Sequence, residues 1–322
     1  MNSIVSRPSP LTRLLSMDFA RRYGIFIFFI LLVLVSGVTS PTFLRGDNVV
    51  NMLVQFAPLG IVVIGQVFVI LVGGLDLSVA SVMATAAVVA TGFDGTNAAA
   101  PAIFGVTLAI CFCAGLLNGL LVTKRQVSPF LATFATAVVL EGLRFAYTQG
   151  APSGNVPPLF HEMGTGFVSG APVNVLILVG CAIVLGVLLH ASTFGRRVFM
   201  VGGNPESARL VGVSPDWVRI ICYIVSALLA GLAGLILSGY VGIVDNWVGR
   251  GFELDSIVAA VMGGVALSGG RGTLLGGLTG AAILIIVFNI VLLLGMPVQA
   301  QTIVKGVIII GASACYVVRR RR

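Results

Sequence analysis

The sequence is short of charge. Only 9% of its 322 residues are Asp, Glu, Lys or Arg, where a soluble domain carries about 25%. Acids are the scarcer sign, 11 against 19 Lys and Arg, and there are two His. So few acids give little support to a proton or ion relay, and a self-powered pump is poorly supported. No GxxxxGK[ST] stretch occurs, so the chain cannot by itself hold a nucleotide in the P-loop manner. No Ser/His/Asp or Cys/His arrangement stands out, which leaves no catalytic residue to name. His161 and His190 lack partners at ligand spacing, and Cys111-x-Cys113 has no accompanying cluster, so no metal site is expected. All five cysteines (Cys111, Cys113, Cys181, Cys222, Cys315) fall in apolar segments. They read as small buried hydrophobes rather than disulfide partners.

What is abundant is apolar: 57% of the residues are hydrophobic. Repeated runs of roughly 20 apolar residues define an all-α, polytopic membrane protein. Ten spans are expected, at about 23–40, 49–73, 79–93, 101–122, 129–147, 173–190, 220–240, 253–267, 274–294 and 300–318. The first run is too long and too strongly flanked to be a cleaved signal. The net charge of +8 does not read as a nucleic-acid surface, because the cations cluster at loops and ends. Arg7, Arg13, Arg21 and Arg22 precede the first span, and Arg319, Arg320, Arg321 and Arg322 end the chain. The positive-inside rule puts both termini in the cytoplasm. The whole chain, 1–322, then reads as one transmembrane domain with a cytoplasmic segment at 1–22.

An internal repeat lies within this pattern. Residues 75–84, LDLSVASVMA, match 254–263, LDSIVAAVMG, at six of ten positions. A weaker echo places Asn118 nine residues before Val127 and Asn289 nine before Val298. The two copies open the third and eighth spans, and an odd offset inverts the second copy in the membrane. Inverted repeats are how many transporters build a path at a pseudo-two-fold interface.

The polar residues within the spans admit two readings each. Asp76 and Asp255 sit at helix starts, either satisfying free amides there or lining a substrate path. Asn118 and Asn289 are interhelix hydrogen-bond partners or path ligands. Glu141 and Arg144, at i,i+3, can neutralise each other or touch a translocated solute. Gly115-x-x-x-Gly119 and Gly276-x-x-x-Gly280 permit close helix contact, within or between subunits.

The most polar interval is STFGRRVFMVGGNPESARLVGVSPDW, Ser192 to Trp217. A short helix inside it carries its own punctuation. Asn204 is a good N-cap, Pro205 suits the first helical position, Glu206 puts a negative charge in the first turn and Gly212 can close the C-terminus. By the span count the loop 192–216 is cytoplasmic, which suggests a docking surface.

Several stretches together resemble the permease subunits of bacterial ABC importers for ribose and related monosaccharides. They are GGLDLSVASVMA (73–84), FGRRVFMVGGNPESARLVGV (194–213), GFELDSIVAAVMGGVALSGGRGTLLGGLTGA (251–281) and VKGVIII (304–310). The resemblance implies a multi-pass protein of the inner membrane and a second permease chain, with two identical copies the expected pairing. It also implies a cytoplasmic ATPase that binds ATP and Mg, and a periplasmic binding protein that delivers the sugar. No cofactor belongs to this chain. The segment Asn204, Pro205, Glu206, Ser207, Ala208, Arg209 and Gly212 would be the ATPase-coupling helix. It is similar to the EAAxxxG pattern of ABC importer permeases, with Ser207 for the second residue and the downstream Ile-x-Leu-Pro portion missing. Related permeases for nucleosides or branched-chain amino acids, and an ion-coupled secondary transporter, are the alternatives.

Overall fold

A computed structural model describes residues 17–152, 154–297, 299, 300, 302, 303, 306 and 307. Most of the expected tenth span, the arginines at 7, 13 and 319–322, Cys315 and most of 304–310 lie outside the described residues.

The chain is helical almost throughout. Its helices are α1 (Met17–Thr39), α2 (Gly46–Leu71), α3 (Val79–Thr91), α4 (Ala100–Lys124), α5 (Pro129–Thr148), α6 (Pro158–Thr165) and α7 (Val173–Ala191). They continue as α8 (Thr193–Gly203), α9 (Pro205–Leu210), α10 (Pro215–Val241), α11 (Phe252–Met262) and α12 (Leu274–Leu293). The strands β1 (Phe167–Val168) and β2 (Ala171–Pro172) form one small antiparallel ribbon. Six of the helices, among the described residues, are long and apolar enough to cross a membrane, and Gly24–Thr39 and α3 are shorter apolar helices. The count of ten is therefore not reproduced. The eighth expected span shrinks to α11, which stops at Met262 because residues 263–273 turn through Gly264, Gly269, Gly270 and Gly272 at positive φ. The stretch 149–172, read as a loop, contains α6, which buries Phe160.

Two helices form the centre. Of the 18-residue window of α2, 83% is buried, and of α10, 67%, whereas α7 reaches 17% and α5 22%. The central pair pack on each other. Each also crosses into the opposite half: α10 lies against α3 and α4, and α2 lies against α11 and α12. The halves that carry the two LD motifs are thus interlocked rather than side by side.

Lipid is as apolar as leucine, so close fit rather than water exclusion must hold such a bundle together. Both GxxxG motifs supply that fit within the chain. A Cβ added at Gly115 would lie 2.7 Å from Cα of Ile224 on α10, and one at Gly119 would lie 2.8 Å from Cα of Ile220. Gly276 and Gly280 of α12 likewise abut backbone of Gly263 and Ala259 at α11. Of the described cysteines, Cys111 and Cys222 are buried as expected and Cys113 is exposed. Cys113 is two residues from Cys111 on α4 and so falls on a different face of that helix.

Candidate functional site

Between α2 and α3 the chain is not helical. Gly73 takes φ +78 and residues 74–78 have no regular secondary structure before α3 begins. Inside a bilayer, free backbone groups cost several kcal/mol each, so such a break needs protein partners. It has them, and they are side chains. Arg219 Nε donates to Val72 O at 3.4 Å, and the Tyr223 hydroxyl donates to Leu75 O at 3.4 Å. Leu77 N donates to Thr133 Oγ1 at 3.1 Å. The buried Gln66 amide, oriented to satisfy both groups, donates to Asp76 O at 3.2 Å and accepts from Asp76 N at 3.3 Å.

Asp76 itself is fully buried, and the network around it links α2, α4, α5 and α10. Its Oδ1 accepts from Ser78 N at 3.0 Å and Ser78 Oγ at 2.5 Å, and its Oδ2 accepts from Ser226 Oγ of α10 at 2.8 Å. Ser78 Oγ accepts from Asn118 Nδ2 of α4 at 2.9 Å, and Asn118 Oδ1 accepts from Thr136 Oγ1 of α5 at 2.6 Å. Two of the four residues proposed from sequence, Asp76 and Asn118, are therefore separated by a single serine. Ser226, Thr136 and Gln66 complete the set and escaped the sequence reading. Their signal was slight: each is a neutral polar residue with no motif around it.

The other two residues lie elsewhere. Asn289 and Asn48 exchange amide hydrogen bonds of 2.8 and 3.0 Å, which ties α12 to the start of α2. Asp255 is buried in the first turn of α11, three residues past its start, whereas Asp76 lies three residues before α3 begins. The repeated LD motif thus sits at a helix start in both halves but not in the same conformation. Arg144 has no ion-pair contact with Glu141 within 4.0 Å, although the carboxylate acts on it through space. Its guanidinium donates to Ser81 O at 3.1 Å, Thr85 Oγ1 at 3.3 Å and Asn246 O at 3.1 Å, which fastens α5 to α3 and to the turn after α10.

The loop 192–216 holds two helices rather than one. Ser192 caps α8 by accepting from Gly195 N at 3.1 Å. Asn204 caps α9 as its sequence predicts, with Oδ1 accepting from Glu206 N at 3.0 Å and Ser207 N at 3.1 Å. Gly212 closes α9 at φ +79. Ala208 is buried, while Leu210 is 88% and Val211 67% exposed at the helix tip. Arg209 bonds Glu206 at 2.8 Å and lies 3.9 Å from Asp216, which pairs with Lys124 at 2.7 Å. Exposed pairs of this kind contribute only about 0–1 kcal/mol each.

Backbone does the firmer holding. Gly202 of α8 is pressed against Leu71 O at the end of α2, the same carbonyl that accepts from Gly270 N at 2.9 Å. One contact thereby joins the loop 192–216 to both halves of the bundle. A cavity of about 470 Å³ lies alongside, between Glu206, Arg209 and Asp216 on one wall and Gly73 and Gly74 of the break on another.

Interlocked halves around a hydrogen-bonded break, with a capped charged helix at one end, fit a membrane transport permease. The chain belongs to the family described as branched-chain amino acid transport system / permease component, which it matches over residues 48–313. It is 36% identical to the ribose import permease protein RbsC of Bacillus subtilis over 294 residues, 90% of this chain and 91% of that protein. Escherichia coli K12 RbsC is also 36% identical, over 286 residues covering 87% and 89% of the two chains. The L-arabinose transport system permease protein AraH of E. coli K12 is 32% identical over 299 residues, 90% and 89% of the two chains. No solved structure matches the chain.

Proposed function

We propose that this chain is the membrane subunit of an ABC importer for a monosaccharide, with ribose and arabinose the nearest substrate chemistry. The observation that carries this reading is the match to ribose and arabinose permeases along about nine-tenths of the chain. The family description names branched-chain amino acids, but the relatives at 32–36% identity are named for sugars. The whole of 1–322 acts as one permease domain in the bacterial inner membrane. Both termini and the 192–216 loop lie in the cytoplasm, and a second copy completes the path.

The segment 204–212 is the ATPase-coupling helix. Its exposed Leu210 and Val211 give an apolar tip to a charged helix, which suits a socket on a partner protein. ATP and Mg are bound by that partner. Closure of the ATPase pulls α9, and the Gly202–Leu71–Gly270 contact passes the displacement to both halves. A periplasmic binding protein supplies the sugar from the other side. Asp76 and Asn118 hold the break in the path; Asp255 serves the second half, and Asn289 braces α12.

The test is uptake of labelled ribose and arabinose into proteoliposomes that hold the chain, its ATPase and its loaded binding protein. Uptake is expected only with all three and ATP. Uptake by the purified chain alone, driven by an ion gradient, refutes the reading.

A further inference from the structure

A second cavity of about 470 Å³ opens between α3, α5 and α11, at the end of α10 remote from α9. Leu77 and Leu254, from the two copies of the repeat, both line it. So do Glu141, Arg144, Trp247, Arg250 and Glu253. In a chain with 9% charge this is a concentration of ionisable groups that the site around Asp76 does not use. Glu141 lies twelve residues into α5, roughly 18 Å along a helix that rises about 1.5 Å per residue. A carboxylate at that depth is costly in hydrocarbon, and Glu141 lines the cavity, whose wall is mostly apolar around these few charged groups.

Among the described residues Glu141 makes no hydrogen bond and no ion pair within 4.0 Å, although its charge acts on Arg144 through space, and Arg250 has no carboxylate within 4.0 Å. Glu253 commits one oxygen to Gly251 N at 2.8 Å. The Arg250 guanidinium lies 4.7 Å from the Trp247 ring centroid, and Phe145 meets the same ring edge-on at 5.5 Å. The indole is thus fixed while remaining 47% exposed. Arg144 is 5% exposed and turned to three protein acceptors, so it positions the walls.

Two carboxylates and two guanidiniums sum to no net charge, which suits an uncharged solute. A sugar hydroxyl can donate to a carboxylate and accept from a guanidinium at once. The ring's C–H face needs an apolar wall, and Trp247 with Phe134 supplies one. The volume lies within the roughly 300–1000 Å³ usual for small-molecule sites. We infer that this cavity is a sugar-receiving site, in which Glu141, Arg250 and Glu253 read ring hydroxyls against a Trp247 wall. The inference rests on the sugar-importer reading above and adds the residues that meet the sugar.

The chain has two tryptophans, and Trp217→Phe leaves Trp247 as its sole indole. That full-length variant, in nanodiscs, is titrated with D-ribose, L-arabinose and L-leucine while its emission is followed. A saturable change is expected with a sugar and none with leucine. Glu141→Gln and Arg250→Gln should each weaken the sugar response at least tenfold. In the complete transporter, Glu141→Gln should slow uptake at least tenfold while stimulation of ATP hydrolysis by loaded binding protein stays within twofold, a split that a folding defect would not give. A response to leucine instead of sugar overturns the inference. So does a silent Trp247 in preparations that take up sugar when the partners are added. If the complete wild-type transporter carries no sugar, it is the importer reading that fails.

Discussion

Gly202 and Gly203 are neighbours with opposite surroundings, and alanine at each should have opposite effects. A Cβ on Gly202 would fall against Leu71 O and close to Gly270 N, both backbone atoms already bonded to each other at 2.9 Å. Neither can rotate aside. Overfilling a close-packed contact costs about 1–3 kcal/mol, and rigid backbone on both sides argues for the upper part of that range. A Cβ on Gly203 meets nothing within 4 Å. Gly203 is the last residue of α8, where replacing glycine gains up to about 1 kcal/mol of helix propensity. The purified variants are to be melted in detergent and then assembled with the ATPase. Gly202→Ala should melt below wild type and lose most ATPase stimulation; Gly203→Ala should melt at or above wild type and couple normally. Equal shifts for the two, or a Gly202→Ala protein that couples as wild type, would refute the claim that α8 grips both halves through backbone.

Asn204→Ala removes the acceptor for two amides and should cost about 1 kcal/mol of local helix stability, read as faster amide exchange at Glu206 and Ser207. Asp76→Ala strands the Ser78 and Ser226 hydroxyls and should cost about 1–3 kcal/mol for each buried donor left unpaired. Asp76→Asn, which keeps an acceptor, should melt closer to wild type. Gly212→Pro, whose φ of +79 proline cannot adopt, should abolish ATPase stimulation without preventing membrane insertion. The joint charge reversal Glu206→Lys with Arg209→Glu should do the same, with stability unchanged within about 1 kcal/mol because these side chains are exposed.

The helices that span the bilayer were legible in the sequence because long apolar runs bounded by charge allow little else. The start of α9 was legible too, since Asn204-Pro205-Glu206 spells a cap in local chemistry. Helices α6 and α8 were not, because contacts far away in the chain hold them: α6 through Phe160 settling against Phe104, and α8 through the end of α2. The start of α11 was legible, but its end was set too late, since the glycine turn begins at 263 and not after 267. The site divides the same way. Asp76 stood out as a charge, and Asn118 through its echo in the second half. Ser226 and Thr136 became visible only when folding brought α10 and α5 to the break. For Glu141 and Arg144 the i,i+3 spacing allows a contact without requiring one, and acceptors on α3 and the turn after α10 take the guanidinium's hydrogen bonds.

The Gly202–Leu71–Gly270 contact separates gearing from addressing. The surface that a partner ATPase would touch lies on α9, whose exposed side chains can change without disturbing anything behind them. The part that moves the bundle is main chain, and no side chain at that contact can be trimmed to loosen it. A permease built this way can be re-addressed by exchanging 204–212 while its stroke stays the same.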